Sequence, residues 1–259
     1  MSSLPLVNLW KLRSLIFHFS WMNIKIRYKG NYLGLLWIAL EPTLTFLILL
    51  TVFSSVFVGN REDFSIYFLT GIIFHNIFSR GVGGGLVSLT TNQGILQSSN
   101  IRREFFPVAS TVTGVIILFV EMGVFFGLMP FFEFIPSWTI VFLPIVLFLL
   151  IVLTLGLSYL LSILFVYVRD IQSIWVVVML ALFFVSPIFW YVDEGNEILL
   201  GIHSVNPLGQ LIELAHKIVV FEEIPPLIDW IYASGLVAIV FIIGFVTFQK
   251  YEKYALEEI

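Results

Sequence analysis

Two acidic residues stand inside long apolar stretches of this sequence. Glu41 is the eighth residue after Leu33 in one stretch, and Glu121 lies near the middle of another. An ionisable side chain in such a setting is a candidate for function, because it stays charged only beside a partner or in water. The two carboxylates could carry protons in a coupled transporter, or they could bridge helices around a wet cavity. Pro42, next to Glu41, removes one helical hydrogen bond and predicts a polar kink there.

Three cations occur within five residues just before the first apolar stretch. They are Lys25, Arg27 and Lys29. At a membrane surface each such cation attracts anionic groups by about 1 kcal/mol. The three could therefore bind the pyrophosphate headgroup of a lipid-linked substrate, or they could fix the topology and contact ordinary phospholipids.

Several kinds of chemistry are missing from the sequence. No Gly-Lys-Ser or Gly-Lys-Thr occurs, so the chain has no Walker A loop for ATP. The four histidines lie at no ligand spacing, and cysteine is absent. An integral-membrane enzyme would need an acid–base set on one membrane side, and the acidic residues at 193, 194 and 197 are too loosely arranged for one. We expect no catalytic residue, metal, cofactor or nucleic-acid partner for this chain.

The composition predicts a membrane protein. Of the 259 residues, 59% are hydrophobic and 12% are charged, against about 45–50% and 25% in soluble proteins. Mostly apolar runs of about 18 residues or more, long enough to cross a hydrocarbon core, recur along the chain. Only helices satisfy their own backbone groups in lipid in this way, so the predicted fold is all-α and polytopic, with six transmembrane helices. The predicted spans are 33–58, 66–89, 108–131, 138–166, 171–190 and 227–248.

The basic residues predict the orientation. With a cytoplasmic N-terminus, ten of the thirteen Lys and Arg residues lie on the cytoplasmic side, while Arg61 and Lys217 lie outside and Arg80 stays unassigned. Cytoplasmic loops of membrane proteins carry such an excess of basic residues. We therefore expect a multi-pass protein of the cytoplasmic membrane with both termini in the cytoplasm.

Two segments are predicted to lie along the membrane surfaces rather than across the bilayer. Residues 1–31 are expected to form a cytoplasmic interfacial helix and linker, with Trp10 and Trp21 at headgroup level, ahead of a six-helix domain at 32–259. Between the fifth and sixth spans, Asn206 followed by Pro207 has the order of a helix start, and apolar residues then recur at helical spacing opposite Glu213. This external segment is predicted to form short re-entrant helices, or alternatively an ordinary surface helix.

Aromatic residues are abundant, with 27 Phe, 9 Tyr and 7 Trp. An aromatic-lined passage would let a glycan slide without deep binding minima. The candidates for such a lining are Trp37, Trp175, Trp190 and Tyr191. Their amphipathic rings favour wet boundaries over plain lipid.

Four stretches resemble the permease subunits of ATP-binding-cassette exporters for O-antigen, teichoic acid and capsule-type polysaccharides. These are "RYKGNYLGLLWIALEP" at the first span, "GGGLVSLTTNQGILQSSNIRREFFPVAS" between spans two and three, "YVRDI" between spans four and five, and "NPLGQLIELA" before span six. The resemblance covers nearly the whole chain. It departs at 102–107, where relatives often have Pro-Arg-Glu and this chain reads "RREFFP". Glu41 stands at a position that varies among the relatives.

The resemblance implies a homodimer of permeases docked on two ATPase subunits, which bind ATP and Mg²⁺ and supply the hydrolysis. It implies a coupling helix at about 92–101 that enters a groove on the ATPase, and a cytoplasmic turn at Arg169 and Asp170. The coupling residues would be Asn92, Gln93, Ile95, Leu96, Asn100, Arg102 and Arg103. The implied substrate is a glycan or polyol phosphate on a polyprenyl pyrophosphate lipid.

Two alternatives to polysaccharide export stay open at the level of the sequence. One is an ATP-driven permease of similar topology that exports small molecules or lipids. The other is a proton-coupled secondary transporter that uses Glu41 and Glu121, although the inverted repeats typical of that class are not visible.

Overall fold

The computed structural model describes residues 12–57, 63–98 and 101–254, and every regular element in this part of the chain is helical. The α-helices are α1 (Arg13–Arg27), α2 (Trp37–Phe57), α3 (Phe64–Leu86), α4 (Ser88–Thr91), α5 (Gln93–Ser98), α6 (Phe105–Leu128), α7 (Leu143–Tyr167), α8 (Ile171–Val185), α9 (Glu197–Val205), α10 (Pro207–Val219) and α11 (Leu227–Tyr251). Short 3₁₀ turns precede α2 and α7. The all-α prediction is confirmed.

Among the described residues, four helical stretches are long and apolar enough to cross a membrane. They are Gly34–Phe53, Phe105–Phe132, Trp138–Tyr167 and Leu227–Tyr251. The pair α9 and α10 reaches the same length and apolarity together, but it is bent by 99° and forms either a broken span or a re-entrant loop. Length and composition thus give four spans, or five with the bent pair, rather than the predicted six.

The predicted second and fifth spans are not among the stretches that are long and apolar enough to cross a membrane, and the reasons differ. The helix α3 is 23 residues long, but Asn76, Arg80 and a glycine-rich run lower its apolarity. Most of its side chains are nevertheless buried, because it lies between α6 and α7 in the centre of the bundle. Polar groups at membrane depth are tolerated where protein rather than lipid surrounds them.

The helix α8 ends at Val185, five residues before the predicted end of the fifth span at 190. Ser186 has an extended backbone with ψ 148°, because a residue that precedes proline is disfavoured in the helical region. The chain then turns into the bundle, where Ile188 and Tyr191 are buried. The prediction of a helix through Trp190 was wrong.

The glycine-rich run of α3 is a tightly packed helical segment. A Cβ on Gly81 would lie 2.6 Å from the Thr154 methyl group of α7, and a Cβ on Gly85 would collide with Ser158 one turn further on. Small residues at such positions allow helix backbones to approach closely in membrane proteins. Because these glycines have no side chains, α3 can pack closely against α7.

The helix α1 lies against the first turns of α6. Phe19 packs edge-on against Phe105 at 5.3 Å between ring centroids, and the Ser20 hydroxyl donates to the Ala109 carbonyl at 2.7 Å. A helix is thus present in the predicted N-terminal segment, over the residues of α1, and Trp21 is exposed on it. Trp10 and the rest of residues 1–11 lie outside the described residues.

The contacts between the long helices show that α2, α3, α6, α7, α8 and α11 run in alternate directions, so the bundle has two ends. The N-terminal end contains α1, α4, α5, the start of α6 and the end of α11. The bent-pair end contains the start of α3, the segment after α8, the pair α9 and α10, and the start of α11. At this second end the Thr139 hydroxyl donates to the Ile218 carbonyl, and the Tyr67 hydroxyl donates to the Trp190 carbonyl.

Candidate functional site

Three charged residues from three helices meet inside the bundle, and we call them the Arg80 triad. Arg80 Nη2 lies 2.8 Å from Glu121 Oε1, and Arg80 Nη1 lies 3.9 Å from Glu41 Oε2. Glu121 is fully buried, whereas the side chain of Glu41 is 59% exposed. Neither carboxylate oxygen of Glu121 has a well-aligned hydrogen-bond donor among the described residues. The contact with Arg80 is therefore an ion pair of poor hydrogen-bond geometry.

The Arg80 triad bears on the two interpretations of the buried carboxylates. A guanidinium keeps its charge under all physiological conditions, so it compensates Glu121 permanently. This pairing favours the role of a bridge between α3 and α6 over that of a free proton carrier. A cation inside an apolar helix signals that a partner exists. The sequence does not say which partner, because α2, α3 and α6 come together only in the fold.

A polar cleft leads from the N-terminal end towards the triad. Its outer part has a volume of about 340 Å³ and its inner part about 20 Å³, room for about one water molecule. The two parts share four lining residues, namely Arg27, Gly84, Ser110 and Thr113. The outer part reaches Asn23 and Asn92 near the surface, and the inner part ends at Arg80 and Glu121. Hydroxyl, amide and guanidinium groups along this path can bind water or a phosphate-bearing group.

The structure separates the three cations predicted to share a headgroup site. Arg27 lines both parts of the cleft. Lys25 lies over the Trp21 ring, with Nζ 5.8 Å from the ring centroid, and is exposed. Lys29 follows the end of α1 and is also exposed. Arg27 is thus the one member of this trio that combines charge with a concave surface.

The four aromatic residues predicted to line a passage do not lie together. Trp37 packs beside Ile24, Tyr28 and Ile38 at the N-terminal end. Trp175 is half-buried and its ring lies 6.0 Å from that of Phe78.

Trp190 and Tyr191 belong to the bent-pair end. The Trp190 indole donates to the Phe184 carbonyl at 3.2 Å. Tyr191 is buried, stacks against Tyr67 at 4.2 Å and donates its hydroxyl to Asp63 at 3.2 Å. These two rings therefore serve the packing of one end of the bundle.

The predicted coupling segment forms two short helices, α4 and α5. Asn92 lies between them, where its amide donates to the Ser88 carbonyl at 2.7 Å. Leu96 is buried in the apolar cluster that α1 and α6 share, whereas Ile95 on the adjacent face is 37% exposed. Gln93 is half-buried, and Asn100 lies outside the described residues. One face of α5 is thus fixed to the bundle while the other faces outwards.

A buried carboxylate links the end of this segment to the last helix. Glu104 is fully buried, its Oε1 lies 3.6 Å from Arg102 Nη2, and it accepts a hydrogen bond from the Gln249 amide of α11. Burial raises the pKa of Glu252, just beyond α11, and the Glu104 charge raises it further, while Arg103 and Arg102 oppose this rise. Arg102 and Arg103 therefore belong to a charged cluster with Glu104, which the sequence analysis missed. A lone Glu between two Arg and two Phe was the available signal.

The predicted cytoplasmic turn lies between α7 and α8. Arg169 and Asp170 are both exposed, and the Arg169 guanidinium lies 5.2 Å from the Phe165 ring centroid. The turn therefore places two charged side chains on the surface of the bundle and does not form a pocket.

The bent pair begins its second helix as the sequence predicts. Asn206 Oδ1 accepts the Leu208 backbone N–H at 3.1 Å, and Pro207 is the first residue of α10. The amide of Asn206 also donates to the Ser186 hydroxyl at 2.9 Å, which fixes the pair to the end of α8.

A network of ion pairs, which we call the Lys217 clasp, fixes the bent pair to the last helix. Lys217 Nζ lies 2.8 Å from Glu213 of α10 and 2.8 Å from Asp229 of α11. Glu213 also lies 2.7 Å from His203 Nε2 of α9. The Lys217 clasp thus joins α9, α10 and α11.

Beside the Lys217 clasp is a cavity of about 410 Å³, the bent-pair pocket. Its lining residues are Tyr67, Val192, Asp193, Glu213, His216, Lys217 and Phe221. The described residues contain no group of three or more His, Asp or Glu side chains that could hold a metal ion.

Known proteins resemble this chain over most of its length. The family model for the ABC-2 type transporter matches residues 14–220. The O-antigen export system permease protein RfbA of Myxococcus xanthus is 26% identical over 236 residues, which is 90% of both chains. A permease of the same name from Klebsiella pneumoniae is 24% identical, with 92% of this chain and 91% of the relative covered. The polysialic acid transport protein KpsM of Escherichia coli is 23% identical, with 89% and 90% covered.

Proposed function

This chain belongs to the ABC-2 type transporter family, and we propose that it is the permease of an exporter that moves a lipid-linked polysaccharide out of the cytoplasm. It is a multi-pass membrane protein, and permeases of this family act with separate ATPase subunits. The observation that carries the proposal is the similarity to polysaccharide export permeases over about nine tenths of both chains.

The proposed topology has six spans, formed by α2, α3, α6, α7, α8 and α11. In it α3 crosses inside the protein, and α8 crosses together with the extended segment that follows it. The bent pair then dips into the outer leaflet and returns, which its 99° angle supports. An even number of spans puts both termini on the same side, and the basic residues of the N-terminal end support the cytoplasm as that side.

The proposed complex contains two permeases and two ATPase subunits. The exposed face of α5, with Ile95, and the cluster of Arg102 and Arg103 form the surface on which the ATPase docks. Leu96 and Glu104 tie this surface to α1, α6 and α11. A displacement of α5 by the ATPase would therefore reach three helices of the bundle directly.

The proposed entry for the substrate is the polar cleft. The anionic headgroup of the substrate, a pyrophosphate, contacts Arg27 first. It then contacts the hydroxyl groups of Ser110 and Thr113 on the cleft lining. Lys25 and Lys29 contribute a general attraction at the surface. The Arg80 triad closes the inner end of the cleft and links it to Glu41 on α2.

The test of the function uses cells that assemble the glycan inside and display it outside. Removal of the gene is expected to abolish the surface glycan and to accumulate its lipid-linked form at the inner face, with restoration by the intact gene. A double charge reversal, Arg102→Glu with Arg103→Glu, should restore membrane insertion but not export. Surface glycan that persists at its normal amount without the gene would contradict the proposal.

A further inference from the structure

The bent-pair pocket has the chemistry of a saccharide-binding site. Two carboxylates, one ammonium and two aromatic rings converge on a single concave surface. Such convergence of a few polar groups on a partly apolar cavity is typical of sites for small polar ligands. The pocket lies at the opposite end of the bundle from the polar cleft, so it is a separate site.

The polar groups of the pocket are held in place and retain bonding capacity. An ammonium group has three N–H donors, and Lys217 directs two of them to Glu213 and Asp229. The third can donate to a ligand hydroxyl. Each oxygen of Glu213 has one close partner, Lys217 Nζ or His203 Nε2, and can accept further hydrogen bonds.

A buried histidine forms part of the pocket wall. The Nε2–H of His216 donates to the Tyr67 carbonyl at 2.9 Å. His216 is 1% exposed, and its Nδ1 has no hydrogen-bond partner among the described residues. Because Nδ1 is also inaccessible from the cavity, His216 holds Tyr67 in place rather than contacting a ligand.

One aromatic ring, that of Phe221, offers an apolar surface beside these groups, whereas Tyr67 is buried. Tyr67 is fixed between His216 at 3.6 Å and Tyr191 at 4.2 Å between ring centroids. Phe221 is 41% exposed at the mouth of the pocket. The C–H face of a pyranose ring packs on an exposed aromatic face, because that face carries partial negative charge.

The charges of this end select among glycans. Among the described residues of the bent-pair end, Lys217 is the one Lys or Arg side chain. The carboxylates at this end include Asp63, Glu133, Asp193, Glu197, Glu213, Glu222, Glu223 and Asp229. A ligand with a carboxylate or phosphate on each repeat would be repelled by this surface, and like-charge contacts of this kind discriminate strongly between ligands.

We propose that the bent-pair pocket binds the exported glycan as it leaves, and that this glycan carries no carboxylate or phosphate in its repeating unit. The inference rests on the proposed function and narrows it, since it selects uncharged or amino-bearing glycans over polyol phosphates and acidic capsules. Phe221 stacks on a sugar ring, and Lys217, Glu213 and Asp193 bind its hydroxyl groups.

The first experiment determines the chemistry of the surface glycan that disappears when the gene is removed. Purified glycan should pass an anion-exchange column unretained and should contain neutral or amino sugars. A uronic acid, a sialic acid or a phosphate in each repeat would overturn the inference while leaving the export function intact. If no surface glycan changes, the proposed function fails, and the inference fails with it.

The second experiment measures binding at the pocket. The probe is the repeat-unit oligosaccharide released from that glycan, added to the permease and its ATPase in lipid nanodiscs and followed by saturation-transfer NMR. Phe221→Ala should weaken binding about tenfold, the upper range for one aromatic contact. Phe221 is exposed, so its truncation leaves the core intact, and retention of the ATPase during purification checks this point.

The matched control is Glu223→Gln. It removes a carboxylate from the same exposed loop without touching the pocket lining, and binding should not change. Binding to Phe221→Ala that equals wild type, or no saturation transfer to the wild-type protein, would overturn the inference.

Discussion

The two ends of this bundle handle charge in opposite ways. At the N-terminal end, Lys25 and Lys29 are exposed on the surface, and Arg27 alone of its trio lines a cleft. At the bent-pair end, the cation Lys217 is held by two carboxylates and the adjoining pocket is acidic. The contrast is the one expected of an exporter for a substrate with an anionic lipid headgroup and an uncharged glycan. The N-terminal end attracts the anionic headgroup, and the bent-pair end binds the glycan without charge attraction.

The Arg80 triad lies between these two ends. Loss of Arg80 should destabilise the folded protein more than any other change proposed below. Arg80→Gln leaves Glu121 buried without a counter-ion, which typically destabilises a protein by about 3–5 kcal/mol. We expect a large loss of folded protein, measured as a lowered unfolding temperature in detergent. Arg169→Gln removes an exposed Arg instead and should unfold like wild type.

The double variant Arg80→Met with Glu121→Met tests the same idea in reverse. It removes both charges together, so much of the lost stability should return. A double variant as unstable as Arg80→Gln alone would show that the ion pair does not account for the loss.

Narrowing the cleft should reduce export without unfolding the protein. A Cβ on Gly84 would lie 2.9 Å from the Ser110 hydroxyl and 3.9 Å from Arg27 Nη2. We expect Gly84→Ala to lower the amount of surface glycan several-fold, because overpacking at such a contact forces side chains to move. Gly83→Ala is the control, since its Cβ would be 3.8 Å from Trp175 Nε1, an ordinary contact. Equal export by the two variants would show that the substrate does not pass through the cleft.

The three cations next to the cleft should differ in importance. Arg27→Gln is expected to lower export partially, whereas the double variant Lys25→Gln with Lys29→Gln should change it little, because those two side chains do not line the cleft and their attraction at the surface is screened by salt. Quantitative immunoblots of surface glycan, normalised to inserted permease, give the comparison. A stronger defect in the Lys pair would place the headgroup on the open surface rather than in the cleft.

The smallest expected effect is at the Lys217 clasp. A double-mutant cycle of Lys217→Met and Asp229→Asn should give a coupling energy of about 0.5–1 kcal/mol, as for partly exposed ion pairs. Thermal unfolding of the four proteins in the same detergent measures it. A coupling energy near zero would show that the Lys217 clasp adds nothing to the attachment of the bent pair.

Helix starts and ends could be predicted from the sequence where neighbouring residues determine them. The start of α10 at Pro207 followed from the Asn-Pro order, because a cap and a proline act on their own turn. The end of α8 was predicted too late although Pro187 gave a local signal, since the apolar run continues past it. Apolarity locates a helix in the membrane but does not say where the backbone leaves the helical conformation.

The functional clusters were predictable only as single residues. Glu41 and Glu121 were identified by the cost of charge in an apolar run, but their link through Arg80 depends on three helices that meet in space. Glu104 was missed because its partner Gln249 is 145 residues away. The cations at 25, 27 and 29 looked equivalent along the chain, and helix geometry turned only Arg27 towards the cleft.

The central claim is that this chain, together with an ATPase, moves a lipid-linked glycan across the cytoplasmic membrane. The most direct measurement uses inside-out membrane vesicles that contain both subunits and the radiolabelled lipid-linked glycan on their outer face. ATP should move the label into the lumen, where an added glycosidase cannot reach it, and collapse of the proton gradient should leave this transfer unchanged. Label that stays accessible with ATP present, or transfer that follows the proton gradient without ATP, would contradict the claim.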